Sequence, residues 1–184
     1  MRALYILLCS LVDRNRLEAA GALALFTLIW PTWAYAQKEG CAITTYTDPP
    51  RDVLICVDGL TITAERGTEY QLLDRNRNQQ PDAAEVKSRA LLIELPSDNR
   101  RGGFQVLTPH AIASVRGTVW AVDVGVERTS VFVRAGRVTV TRSNATEQVQ
   151  LAPGQGIDVE PGRPLEIKQW SVERVSRLLA RFGR

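Results

Sequence analysis

Histidine occurs once in this chain of 184 residues and cysteine only three times. A lone imidazole, His110, cannot build a His-rich metal site, and no nucleophile stands beside it in a recognised motif. Its ordinary role is that of a hydrogen-bonded turn residue after Pro109. Net charge is scarce too, at +3, and no lysine-rich or arginine-rich block occurs before the C-terminus, which argues against nucleic acid as a partner. Paired catalytic carboxylates are equally hard to assemble. Asp58 sits in a turn, while Asp123 and Asp158 fall in alternating strands, where outward-facing acids are expected. These shortages lead us to expect no enzymatic activity and no cofactor, with a small hydrolase of unrecognised site as the weaker alternative.

What the chain does have is an ordinary globular composition, 45% hydrophobic and 23% charged, enough for one domain with a sizeable core. Residues 19–30, AAGALALFTLIW, have the length of a signal-peptide h-region. Arg14 and Arg16 precede it, and Ala34-Tyr35-Ala36 follows as a small-x-small cleavage pattern. Residues 1–36 are therefore read as a signal peptide, cleaved to leave Gln37 at the front of a periplasmic or secreted protein. An uncleaved anchor is the competing reading, because Trp30 to Trp33 extend the apolar stretch; Pro31 and the Ala-Tyr-Ala ending favour cleavage, after which stable membrane insertion is not expected. Cys9 leaves with the signal. Cys41 and Cys56 then remain as the only pair in an oxidising compartment, and a disulfide closing their loop would stabilise the fold by about 3 kcal/mol in the chain-entropy model.

The mature part reads as all-β, a sandwich or roll of short, mainly antiparallel strands with a C-terminal amphipathic helix. Residues 37–52 are polar and broken by Asp48-Pro49-Pro50, and are expected as an extended arm. From 53 to 162 turn signals recur about every ten residues, as such a fold requires. VLICV and LTITAE flank Asp58-Gly59 as a hairpin, followed by TEYQLLD, ALLIEL and FQVLT. In the strand that follows Thr118, Val119, Ala121 and Asp123 face one way while Trp120, Val122 and Val124 face the other. Residues 163–184 form a tail in which Val172, Val175, Leu178, Leu179 and Phe182 share one helical face. Ser171 caps its start, Gly183 ends it, and Arg174, Arg177 and Arg181 are expected in water on the opposite side.

Three local patterns invite sharper readings. Asp74, Asn76, Asn78, Gln80, Asp82 and Glu85 occupy positions 1, 3, 5, 7, 9 and 12 of a twelve-residue calcium loop. Against that ligand set, Gln79 replaces the turn glycine and Pro81 follows, so the ordinary alternative is a solvated turn between strands. In Arg116-Gly117-Thr118, glycine suggests a positive φ or close packing, and the arginine is expected to fix the loop against carbonyls or a carboxylate, or else to bind a ligand. The same Arg-Gly-Thr recurs at 66–68, a faint internal repeat. Asn144-Ala145-Thr146 is read as a loop.

The segment QVLTPHAIASVRGTVWAVDV, the hairpin VFVRAGRVTV with Gly136 at its turn, and LAPGQGIDV with Gly154 and Gly156 resemble, in this order, the FecR domain of bacterial cell-surface signalling regulators. The resemblance covers roughly residues 53 to 160. It implies an extracytoplasmic β-domain of sensing or binding character, in which Thr108, Pro109, Arg116, Gly117, Thr118, Gly136, Gly154 and Gly156 are structural motif residues. Regulators of this family carry a cytoplasmic segment and a membrane-spanning helix before that domain. The eighteen residues ahead of the apolar run are too few for a folded one, so the expectation is a freestanding exported form. Its expected role is that of a binding, sensing or scaffold module whose partner is another envelope protein, met through strand edges or the C-terminal helix. A calcium-dependent or polysaccharide-associated envelope protein using residues 74–85 is the alternative.

Overall fold

The structure, a computed structural model, describes residues 40–96 and 103–184. The proposed signal peptide and its Ala34-Tyr35-Ala36 site lie outside the described residues. Among those described, thirteen strands and one helix follow in order. They are β1 (Cys41–Thr47), β2 (Pro50–Cys56), β3 (Thr61–Glu65), β4 (Glu69–Leu73), β5 (Ala83–Leu95), β6 (Phe104–Leu107) and β7 (Ala111–Val115). The remainder are β8 (Thr118–Val124), β9 (Thr129–Ala135), β10 (Val138–Arg142), β11 (Gln148–Leu151), β12 (Gln155–Val159), β13 (Lys168–Gln169) and α1 (Val172–Ala180). Every pairing is antiparallel except β5 with β6.

One long strand organises the sheet. The first half of β5 pairs with β4 and β6, while Arg89–Leu95 pair with β8 and Leu91–Glu94 with β3. The joint falls at Arg89, whose φ of 63° is a conformation that costs a non-glycine residue energy. The result is a curled sheet with two halves. The first runs β1-β2-β3-β5-β8-β9-β12-β13, and the second β4-β5-β6-β7-β10-β11. Between them lies the main core, where Ile62, Ile93, Trp120, Val122 and Val131 of the first half meet Val106, Ala113, Val138, Val140 and Leu151 of the second.

The alternation read in β8 divides two cores. Trp120, Val122 and Val124 enter the main core; Ala121, with Val119 beside it, belongs to a second cluster with Ala90, Leu92 and Phe132 on the outer face of the first half. Helix α1 covers that cluster with Leu178 and Phe182, and Trp170 closes its edge. Burying each such side chain stabilises by about 1.5–3 kcal/mol as an upper figure. Ser171 caps the helix, accepting from the Arg174 amide at 3.4 Å, and Gly183 follows its last turn with φ 70°. Val172, expected on the apolar face, is 76% exposed because the first turn lies outside the contact.

Two further expectations are corrected. The supposed arm is part of a hairpin: β1 and β2 pair from Cys41 opposite Cys56 to Thr47 opposite Pro50, and the cysteines are joined by the expected disulfide. The run VFVRAGRVTV is not a hairpin. Its first strand, β9, pairs with β8 and β12, whereas β10 pairs with β7 and β11, so the Gly136 turn hands the chain from one half of the sheet to the other.

Candidate functional site

The FecR-like motif residues concentrate where the chain changes halves. The Arg116-Gly117 turn passes from β7 in the second half to β8 in the first, and the Gly136-Arg137 turn passes back from β9 to β10. The two turns pack together. Gly117 has φ 59° and Gly136 φ 83°, and a Cβ on Gly136 would stand 2.7 Å from the Gly117 carbonyl oxygen. Thr118, 2% exposed, places its hydroxyl 3.2 Å from the carbonyl oxygens of both Arg116 and Arg137. One buried threonine thus fixes the backbone at both arginines. The other Arg-Gly-Thr, at 66–68, also joins strands of different halves, and the Thr68 hydroxyl likewise reaches two carbonyls, of Glu65 at 2.7 Å and Ala90 at 3.1 Å.

Among the described residues the Arg116 side chain meets no carbonyl or carboxylate that would hold the loop. It is exposed, as is Arg137, and neither guanidinium makes a hydrogen bond or ion pair with another described residue. Both border a hollow of about 410 Å³ on the outer face of the second half. Its floor is a row across four strands, Gln105 of β6, Ser114 of β7, Thr139 of β10 and Gln150 of β11, in direct register. The Gln105 side-chain Oε1 accepts from Arg75 at 2.8 Å, which leaves its Nε2 as a donor with no partner among the described residues. No acid among the described residues lines this hollow. Sequence reading found Arg116 but missed Arg137 and the polar row, whose members show no common motif until register aligns them.

At the other turns the motif residues serve packing. The Thr108 hydroxyl accepts from the Ala111 amide at 2.9 Å and meets the Thr129 hydroxyl at 2.9 Å. His110, following Pro109, places Nδ1 3.1 Å from that same Thr129 oxygen. Gly154 has φ 83°, and Gly156 leaves room for the Trp170 indole, which stacks on Phe132 with centroids 5.2 Å apart.

The outer face of the first half is arranged differently. Its acids are spent on the helix: Arg174 reaches Asp158 at 2.5 Å and 3.0 Å, and Arg181 reaches Asp123 at 2.6 Å and Glu65 at 2.5 Å. Arg184 adds Glu94 at 3.2 Å. The expectation of arginines in water is therefore corrected for Arg174 and Arg181, to each of which the sheet presents a carboxylate, while Arg177 is exposed and makes no ion pair among the described residues. Burial alone would raise the Asp158 carboxyl, but hydrogen bonds from Arg174 and Ser130 outweigh it and hold it below the usual range. For Arg181 burial opposes the charge, and bonds to Asp123 and Glu65 overcome that and hold the proton more tightly than usual. Arg174 also lies 3.5 Å over the Trp170 ring.

The six residues of the calcium-loop reading occupy the β4–β5 turn and its edge, where most of the oxygens with a bond serve the loop itself. Asp74 accepts from the amides of Asn78 at 3.1 Å and Gln79 at 2.8 Å, Asn76 from Asn78 at 3.1 Å, and Asn78 from Gln80 at 2.9 Å. Asp82 pairs with Arg75 at 3.2 Å, and Glu85 lies within β5, outside the turn. No cluster of three acidic, His or Cys ligands occurs among the described residues.

Among the described residues β1, β4, β11 and β13 each pair with a single strand, and β1 is the longest of these edges, with Ala42–Thr47 all exposed. Ile43 at 67%, Ile55 at 54% and Val57 at 83% exposure make this hairpin the main apolar surface outside the cores.

No family model matches the chain, and no curated protein does. Among solved structures, two crystal structures of a putative anti-sigma factor from Parabacteroides distasonis share the fold, with TM-scores of 0.57 and 0.54 and 19% identity in each case. Each alignment covers 76% of this chain but only 64% and 60% of the solved chains, less than two thirds of their length. At this identity the likeness is one of fold: a curled, mostly antiparallel β-domain.

Proposed function

We propose that this protein is an exported FecR-domain module of the bacterial cell envelope, without enzymatic activity, that works by binding another envelope protein along the open edge of β1. The observation that carries this reading is the β1 edge itself, unpaired on one side among the described residues and fully exposed from Ala42 to Thr47. A partner strand added there gains main-chain hydrogen bonds, with Ile43 and Tyr46 supplying side-chain contacts. Helix α1, the other surface expected to meet a partner, keeps Leu178 and Phe182 against its own sheet. The order of the FecR-like motifs, the Cys41–Cys56 disulfide and the fold shared with anti-sigma-factor structures support the family and the oxidising compartment. In this reading residues 1–36 direct export, and the protein acts in the periplasm or outside the cell.

A photo-crosslinking residue at Thr44, introduced in cells, tests it. The expected result is one crosslinked envelope protein, lost in Ile43→Lys and retained with chelator. Loss on chelation alone would favour the calcium-dependent alternative, and the absence of any crosslink would overturn the proposal.

A further inference from the structure

We infer that the outer face of the second half of the sheet is a binding site for an acidic saccharide, with Arg116 and Arg137 receiving its carboxylates. The argument begins with charge. Both arginines border the hollow of about 410 Å³, and among the described residues neither has an acidic partner and no carboxylate lines the hollow. Elsewhere on this molecule, Arg174, Arg181 and Arg184 each meet an acid of their own chain, and Arg128 and Arg177, which make no ion pair among the described residues, share their hollow with Asp123. An exposed guanidinium pair without such an acid complements an anion from outside.

Pre-organisation is the second step. The arginines stand at the ends of different strands, but their backbones are tied by the Thr118 hydroxyl and by the close approach of Gly136 to Gly117. Holding two recognition side chains on one rigid corner lowers the entropic cost of binding. The Arg-Gly-Thr and Gly-Arg pieces thereby do more than turn the chain.

The rest of the hollow selects the ligand class. Gln105, Ser114, Thr139 and Gln150 line up in register across four strands, a row about 14 Å long at ordinary strand spacing. A free phosphate would be satisfied by the arginines and leave this row unused. Side-chain amides and hydroxyls that both donate and accept match a run of hydroxyl groups. Carboxylates and hydroxyls spaced along one extended chain describe a uronic acid polymer.

The test is calorimetric titration of the full chain with a short oligogalacturonate, its methyl ester, polyglutamate and inorganic phosphate. The oligogalacturonate is expected to bind, the other three at least about tenfold more weakly. Arg116→Gln/Arg137→Gln should weaken oligogalacturonate binding at least about tenfold with an unchanged melting temperature. Arg128→Gln/Arg177→Gln, on the helix face, should bind as the unaltered protein does. Equal binding of the methyl ester, of polyglutamate or of phosphate would overturn the inference, as would an unaffected Arg116/Arg137 double variant or no binding at all. The crosslink at Thr44 addresses a different face, so either result stands without the other.

Discussion

The two outer faces of this molecule carry arginines in opposite circumstances. Over the first half of the sheet, Arg174 and Arg181 descend from α1 onto Asp158, Asp123 and Glu65, one acid from each of three strands, around a floor of Ala90, Leu92, Ala121 and Phe132. Over the second half, Arg116 and Arg137 rise beside glutamine, serine and threonine, with no acid and no covering helix among the described residues. The first arrangement is closed at Arg174 and Arg181, whose charges are answered inside the chain, while Arg128 and Arg177 at its rim make no ion pair among the described residues. The second is open, and its charges are left for something else. Counting arginines would not separate the two; asking what faces each one does.

The largest effect is expected where the closed face is most apolar. Leu178→Asp places a charge against Leu92, Ala121 and Phe132, and should cost about 3 kcal/mol or more. Thermal unfolding checks it, and Trp170 fluorescence should shift as the indole gains water. An unchanged melting temperature would mean that the helix is not held on this face, and the contrast would collapse.

Next in size is Gly136→Val at the corner between the two faces. Its Cβ would crowd the Gly117 carbonyl from a backbone at φ 83°, costing about 1–3 kcal/mol in denaturant unfolding. A variant as stable as the parent would show that the two turns are not locked together.

How much of this was legible in the sequence differs between the faces. The alternation of Val119, Ala121 and Asp123 against Trp120, Val122 and Val124 exposed both sides of β8, because a period of two survives whatever the strand pairs with. The helix, its cap and most of its apolar face were equally legible. Gly136 was recognised as a turn, but a turn within a hairpin and a turn between halves look alike locally, so β9 and β10 were wrongly paired. The bend of β5 carried no glycine to announce it, only Arg89 in an uncommon conformation. β1 was missed because its residues from Ala42 onward are exposed, and a strand with both faces in water shows no hydrophobic period. The carboxylates awaiting Arg181 lie 58 and 116 residues away, a separation that no local pattern encodes.

A smaller, pH-dependent effect sharpens the closed face. The Asp158 carboxyl is held below its unfolded value of about 3.9, so its contribution is fully present above that pH and is lost as pH falls through the lower folded value. Asp158→Asn should remove this part of the acid sensitivity while costing about 1 kcal/mol at neutral pH, a modest amount because the pair is partly exposed. Acid unfolding curves of the two proteins that stay parallel down to pH ~2 would count against the Arg174 contact.

The most direct measurement compares two double variants by thermal unfolding at neutral pH. Arg174→Gln/Arg181→Gln leaves Asp158, Asp123 and Glu65 unanswered beneath the helix, and should lower stability by about 2 kcal/mol. Arg116→Gln/Arg137→Gln removes the same charge from the open face and should change stability by less than about 0.5 kcal/mol. That difference is the predicted result. Equal losses would mean that Arg116 and Arg137 serve the fold, and equal silence that the helix arginines do not; either would contradict the division of this molecule into a closed face and an open one.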